Sequence, residues 1–288
     1  MSENNQIKKQ KEMKTFALEA FLFFLTLCLG ILSAWRINEI LKIEDISLPK
    51  IPPLEFLGYF FLFTLFFIFL VYFKKGKEKK GTIFKIIFVF SVFFGGVVLL
   101  NSLIPFPLIS IILMGILIYL WFKKPSILIH DLVILLGISG AGAVLGLSLE
   151  PKIVILLLII FSIYDFLAVY VTKHMVKIAK EMIKQKVIVG FIFPSKISDF
   201  KENLEKVKPG GKFMVLGGGD VVFPLLLCAS LVPLGIKNSL IVAVFALIGL
   251  FFSFYIFISK IGGERKPIPA LPPIALFSII GYIITKIL

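Results

Sequence analysis

Two aspartates stand inside runs of apolar residues. Asp220 follows three glycines in Leu216-Gly217-Gly218-Gly219-Asp220-Val221-Val222-Phe223-Pro224, and Asp165 sits in Ser162-Ile163-Tyr164-Asp165-Phe166-Leu167. An acid at the centre of a bilayer costs about 2.5–3.5 kcal/mol on insertion scales, so a functional role is the default reading of each. Two carboxylates brought close together cannot both ionise cheaply, and such a pair holds one proton near neutral pH. One member can then take a proton from water while the other polarises a carbonyl, with neither metal nor cofactor. The glycines admit close approach of backbone to Asp220, and Tyr164 offers a hydroxyl beside Asp165. Paired acids with glycine and proline breaks also resemble the ion sites of carriers. A proton- or cation-coupled transporter or channel is therefore the alternative reading.

This chemistry requires elements that bring both acids to one depth. The chain has 288 residues, of which 59% are hydrophobic, and its mean hydropathy is +1.03. Soluble domains are about 45–50% apolar, so the expected class is an all-α polytopic membrane protein. Apolar runs at 15–35, 54–73, 82–103, 105–122, 131–149, 152–173, 213–234, 238–258 and 268–287 each approach the roughly 20 residues that cross a bilayer. Nine transmembrane helices follow, with a tight turn at Ile104-Pro105-Phe106-Pro107 between the third and fourth. The first run follows a basic start but is long for a signal's apolar core, and no A-x-A site follows it, so it is read as a retained span.

The net charge of +14 comes from 31 Lys and Arg against 17 acids. The basic residues fall between apolar runs, so they report topology and argue against nucleic acid as a partner. With the N-terminus inside, 25 of the 31 lie on the inner side. This bias sets the N-terminus in the cytoplasm and the C-terminus outside. It places the active site of a multi-pass protein of the cell membrane toward the cytoplasmic side.

The chain divides into a polar basic tail at 1–14, spans one to six at 15–173, a cytoplasmic connection at 174–212 and spans seven to nine at 213–288. The connection opens with an amphipathic pattern over Lys173 to Lys186. The β-branched and aromatic run Val187 to Phe193 reads as a short strand, Ser195 to Pro209 as a mobile charged loop, and Lys212 to Leu216 as extended backbone ending at the glycines. Asp165 is eight residues before Lys173 and Asp220 seven after Phe213. At about 1.5 Å per residue both acids lie roughly 10–12 Å from the inner end of antiparallel spans, at nearly one level.

Other polar residues invite plainer readings. Asp131, after His130, stands at a span boundary where a solvated acid costs little. Glu19 is one turn into the first span and can reach the interface. His174 is solvated among lysines. Cys28 and Cys228 lie in apolar runs as core residues, and two thiols with two histidines form neither a disulfide framework nor a zinc site.

Tyr164-Asp165 in span six, Gly217-x-Gly219-Asp220 in span seven and Pro269-Ala270-Leu271 opening span nine resemble the YD, GxGD and PAL motifs of the presenilin and signal peptide peptidase family. Three motifs in order over essentially the whole chain make a joint signal that none makes alone. PAL also separates the chain from prepilin-type peptidases. The resemblance implies an intramembrane aspartic endopeptidase that cuts transmembrane helices of other proteins, with Asp165 and Asp220 as the catalytic pair. Pro269, Ala270 and Leu271 would shape the site. Leu216 and Gly217 to Gly219 would line it, with an unwound substrate added as a strand before Gly217. No metal or cofactor is implied. Gly218 departs from the larger apolar residue common in the family. Val221 to Pro224 looks more like signal peptide peptidases, and Pro269 to Pro272 more like presenilins. The compact chain resembles an archaeal homologue that works without accessory subunits.

Overall fold

The computed structural model describes residues 3–46, 77–173, 188–207, 213–259 and 268–287, with positions 52, 55, 56, 58, 59, 61, 62, 65 and 66. The expected second span at 54–73 lies largely outside the described residues. So do His174 and nearly all of the expected amphipathic helix. The helices are α1 (Glu3–Ile43), α2 (Lys77–Leu103), α3 (Pro107–Lys123), α4 (Ile127–Ser148), α5 (Pro151–Phe166), α6 (Gly218–Leu231), α7 (Ile236–Ser259) and α8 (Leu271–Ile287). Strands β1 (Gly190–Pro194) and β2 (Phe213–Gly217) precede α6.

Local chemistry sets several boundaries. Pro107 and Pro151 open α3 and α5, where the missing N–H is one the helix would leave unpaired anyway. Ser126 caps α4 by accepting from the Ile129 N–H at 3.4 Å. Gly235, with φ of 127°, makes the turn between the 3₁₀ segment Val232–Leu234 and α7. The expected turn at Ile104 to Pro107 does separate α2 from α3.

Among the described residues five helices are long and apolar enough to cross a membrane: Met13–Ile43, Phe84–Leu103, Ile127–Ser148, Pro151–Val171 and Ile236–Ile258. Pro107–Lys123, Gly218–Leu234 and Leu271–Ile287 are shorter apolar helices. Large apolar side chains such as Phe90, Leu108, Ile159 and Phe251 stand exposed on the outside, as a lipid-facing surface requires.

Helix α4 is the central post. Gly140 meets Gly95 of α2 so closely that a Cβ would overlap the Gly95 carbonyl, and Gly142 and Gly146 receive Leu225 and Ala229 of α6. Lipid tails are as apolar as leucine, so such helices associate through close packing and hydrogen bonds. Two hydrogen bonds assist: Ser139 Oγ donates to the Thr26 carbonyl at 3.1 Å, and Ser102 Oγ to Ser33 Oγ at 2.9 Å.

The two strands pair antiparallel in the register Gly190↔Gly217, Phe191↔Leu216, Ile192↔Val215, Phe193↔Met214 and Pro194↔Phe213. The strand expected at Val187 to Phe193 thus begins at Gly190. As expected for Lys212 to Leu216, the stretch from residue 213 is extended: it forms β2, and the chain turns helical at Gly218. The segment expected to be a loose loop over Ser195 to Pro209 is partly anchored. It forms 3₁₀ turns at Ile197–Lys201 and Leu204–Lys206, and Leu204 and Val207 are buried. The Ile127 N–H donates to the Glu202 carbonyl at 3.1 Å, and the Leu204 N–H to the Pro125 carbonyl at 2.9 Å, tying the segment to the start of α4.

Candidate active site

Asp220 is the third residue of α6, not a residue two turns into a span. The first N–H groups of a helix have no carbonyl partner within it, and a carboxylate there faces the positive end of the helix. The Gly217 N–H, at the N-cap, donates to the Asp220 carboxylate, which is half of a capping box. A Cβ on Gly217 would stand 3.0 Å from Asp220 Oδ2, so a glycine here keeps the carboxylate in place. Four residues on, Pro224 sits inside α6. It lacks the N–H that would bond the Asp220 carbonyl, which loosens the backbone at this acid.

Asp165 is 7% exposed, near the end of α5. Immediately after Phe166 the helix widens into a π turn over Leu167–Val171, a feature often found at functional sites. Asp165 Oδ2 accepts the Leu271 N–H at 3.3 Å. The reason lies in the sequence of α8. Its first residues are Leu271, Pro272, Pro273 and Ile274, and the two prolines have no N–H to leave unpaired. The Ile274 N–H reaches the Ala270 carbonyl at 3.5 Å. The Leu271 N–H is thus the exposed donor of this helix start, and Asp165 takes it.

The two acids converge closely enough for their charges to interact. Pro269, two residues before Leu271, is buried, and Ala270 lines a cavity shared with Asp220 and Leu216. Gly218 donates its N–H to the Val189 carbonyl at 3.0 Å, joining the start of α6 to the chain before β1. A Cβ on Gly219 would meet only Phe223 at an ordinary 3.7 Å. Tyr164 is half-exposed on α5. Among the described residues no three His, Cys, Asp or Glu side chains converge as metal ligands would.

The hairpin that precedes Asp220 has one edge closed. Asp131 Oδ1 accepts the Ile192 N–H at 2.9 Å, and His130 Nε2 lies 3.1 Å from the Gly190 carbonyl oxygen. Trp121 Nε1 donates to His130 Nδ1 at 3.2 Å. These contacts overturn the reading of Asp131 as a solvated interfacial acid. Helix α4 begins at Ile127, four residues earlier than the apolar run, so His130 and Asp131 fall inside it and are buried. Because the Ile192 N–H points to α4, Ile192↔Val215 is a pair whose backbone groups face away from each other. The Val215 N–H and C=O accordingly point to the outer edge of β2, and among the described residues no strand pairs there. Val215 is 45% exposed.

Glu19 also departs from expectation. It does not reach the interface: it is 7% exposed, and its charge lies close to that of Asp220. Helix α1 begins ten residues before the first span's apolar core, so Glu19 is well inside a packed helix.

A sequence profile described as signal-peptide peptidase, presenilin aspartyl protease matches residues 22–288. The chain belongs to this family of aspartyl proteases. It is therefore an aspartic endopeptidase and an integral, multi-pass membrane protein. Two solved structures share its fold, each a presenilin family intramembrane aspartate protease. The one in space group C222 is 20% identical with a TM-score of 0.59, over 92% of this chain and 94% of the other. The one in space group P2 is 22% identical with a TM-score of 0.57, over 91% and 96%. No curated protein matches the chain. The presenilin and signal-peptide peptidase membership does not favour the carrier reading.

Proposed function

We propose that this family member hydrolyses peptide bonds within transmembrane segments of other membrane proteins, with Asp165 and Asp220 as its catalytic pair. The observation that carries the reading is their convergence, each carboxylate held by one backbone N–H, from Leu271 and from Gly217. The ionised member removes a proton from water, and the water oxygen attacks the scissile carbonyl carbon. The protonated member donates to the carbonyl oxygen. The C–N bond of the resulting gem-diol then breaks: the amine nitrogen takes the proton that the first acid gained from water, and a diol hydroxyl returns a proton to the second acid, which restores the singly protonated pair. Neither metal nor cofactor has a step here.

The outer edge of β2 supports a role in holding substrate. An unwound substrate adding there satisfies its own backbone groups, which otherwise have no partner in lipid. The strand it forms runs beside Val215 toward Gly217 and Asp220, which delivers a peptide bond to the acids. Tyr164, Gly218, Gly219, Pro269 and Ala270 complete the walls.

The larger frame belongs to the same proposal. It comprises nine spans with the second at 54–73, a tail at 1–14, spans one to six through 173 and a connection at 174–212. Spans seven to nine run through 288. The N-terminus and the opening of the site face the cytoplasm, and no accessory subunit is required.

The test is cleavage of a purified single-span substrate in detergent by wild type, Asp165→Asn and Asp220→Asn, with products read by mass spectrometry. Wild type is expected to cut inside the apolar segment. Each variant is expected to lose about 10²–10⁴-fold in kcat, since neither acid works alone. Cleavage by either variant at the wild-type rate refutes the dyad.

A further inference from the structure

An acid that the mechanism does not use lies near Asp220. This acid, Glu19 of α1, is buried, and its Oε2 has no hydrogen-bond partner. Leaving a carboxyl oxygen buried and unpaired is costly, and such an exception in a packed protein calls for a reason. Glu19 lines a cavity of about 120 Å³ together with Asp220, Leu216 of β2, Leu250 and Phe254 of α7, and Ala270. One wall of that cavity is thus the strand whose outer edge is open. Another is the start of the segment that holds Asp165. The remaining wall, on α7, is Leu250, Phe254 and Phe257 with the single hydroxyl of Ser253.

The cavity has room for several waters, or for a substrate side chain of several heavy atoms. An apolar stem suits the α7 wall, and a hydrogen-bond donor at its tip suits the unpaired carboxyl. We propose that Glu19 makes this cavity a specificity subsite, adjacent to the scissile bond, for a substrate side chain with an apolar stem and a donor tip. Lysine and glutamine fit this description. Methionine has the same length and no donor. The subsite rests on the protease reading above. Glu19 acts by choosing and placing substrate, and takes no part in bond breaking.

The experiment uses the full chain in detergent and single-span substrates carrying Lys, Gln or Met in turn at each position flanking the mapped cut. At one position the wild type is expected to cleave the Lys and Gln substrates at least about tenfold faster in kcat/KM than the Met substrate. In Glu19→Met the three rates are expected to fall within about twofold of one another, and in Glu19→Gln the Gln preference is expected to persist. An apolar residue suits the buried position, so Glu19→Met keeps the fold, which thermal unfolding checks. A merely structural Glu19 would move all three substrates together. Wild type that cuts all three alike at every position overturns the subsite and leaves the protease intact, as does a preference that survives in Glu19→Met. Wild type that cuts none of the substrates overturns the protease reading and the subsite with it.

Discussion

Asp165 and Asp220 are held by the same kind of donor in two different ways. Asp220 is the third residue of its helix and bonds back to the N-cap Gly217. Asp165 is near the end of its helix and accepts from the first residue of another, Leu271. Backbone donors of this sort are fixed by the fold, so they position a carboxylate at little entropic cost. A dyad working with one shared proton has a definite pH signature. Activity is expected to fall at high pH as the shared proton leaves, and at low pH as the second carboxylate also takes one, so kcat/KM traces a bell. A pH series with the single-span substrate measures this, and full activity where both acids are ionised would contradict it. The bell's limits belong to the pair and not to either residue.

At the scale of elements, the hairpin matters most. Its β1 edge is closed by His130 and Asp131 from α4, and its β2 edge is open at Val215. The two edges make opposite forecasts. Val215→Pro removes an N–H that points away from β1, so it is expected to spare the hairpin and block substrate pairing. Cleavage should drop at least about tenfold, one lost charge-neutral hydrogen bond plus a steric block, while the thermal midpoint stays within a few degrees. Unimpaired cleavage by this variant would remove β2 as the docking edge. Asp131→Ala, in contrast, strands the buried Ile192 N–H and is expected to cost about 1–3 kcal/mol of stability. Asp131→Asn keeps an acceptor and is expected to cost less. Thermal unfolding of both in the same detergent gives the comparison, and equal midpoints for wild type and Asp131→Ala would refute the clamp.

At the scale of the molecule, the distribution of lysines proposes a topology that labelling tests. The segment carrying Lys201 is tied to the start of α4, while Glu44 lies just beyond the other end of α1. Single cysteines at Lys201→Cys and Glu44→Cys, in a background without Cys28 and Cys228, are expected to label from opposite sides of sealed vesicles. Labelling of both by an impermeant maleimide from one side would overturn the assignment. Much of the frame is readable from the chain alone. Apolar runs found most helices to within a few residues, because a bilayer demands length and hydrophobicity of each span by itself. The three motifs pointed to Asp165, Asp220 and Leu271 because glycine, proline and buried acid are rare and costly in such runs. The misreadings share a cause. Asp131 and Glu19 were assigned to the interface from their distance to a run's end, yet each helix extends well beyond its apolar stretch, and neighbours close over it. Hydropathy marks where lipid could be, not where another helix is. The extended backbone expected over Lys212 to Leu216 is a strand, β2, whose partner β1 only the tertiary structure supplies. Composition and apolar runs by themselves indicated a polytopic membrane protein, and the three motifs pointed to the family and to the two candidate acids, since those signals depend on local cost. Tertiary structure decided which backbone N–H holds each acid, which edge of the hairpin is open and that Glu19 joins them, because each of those is a contact between residues far apart in the chain.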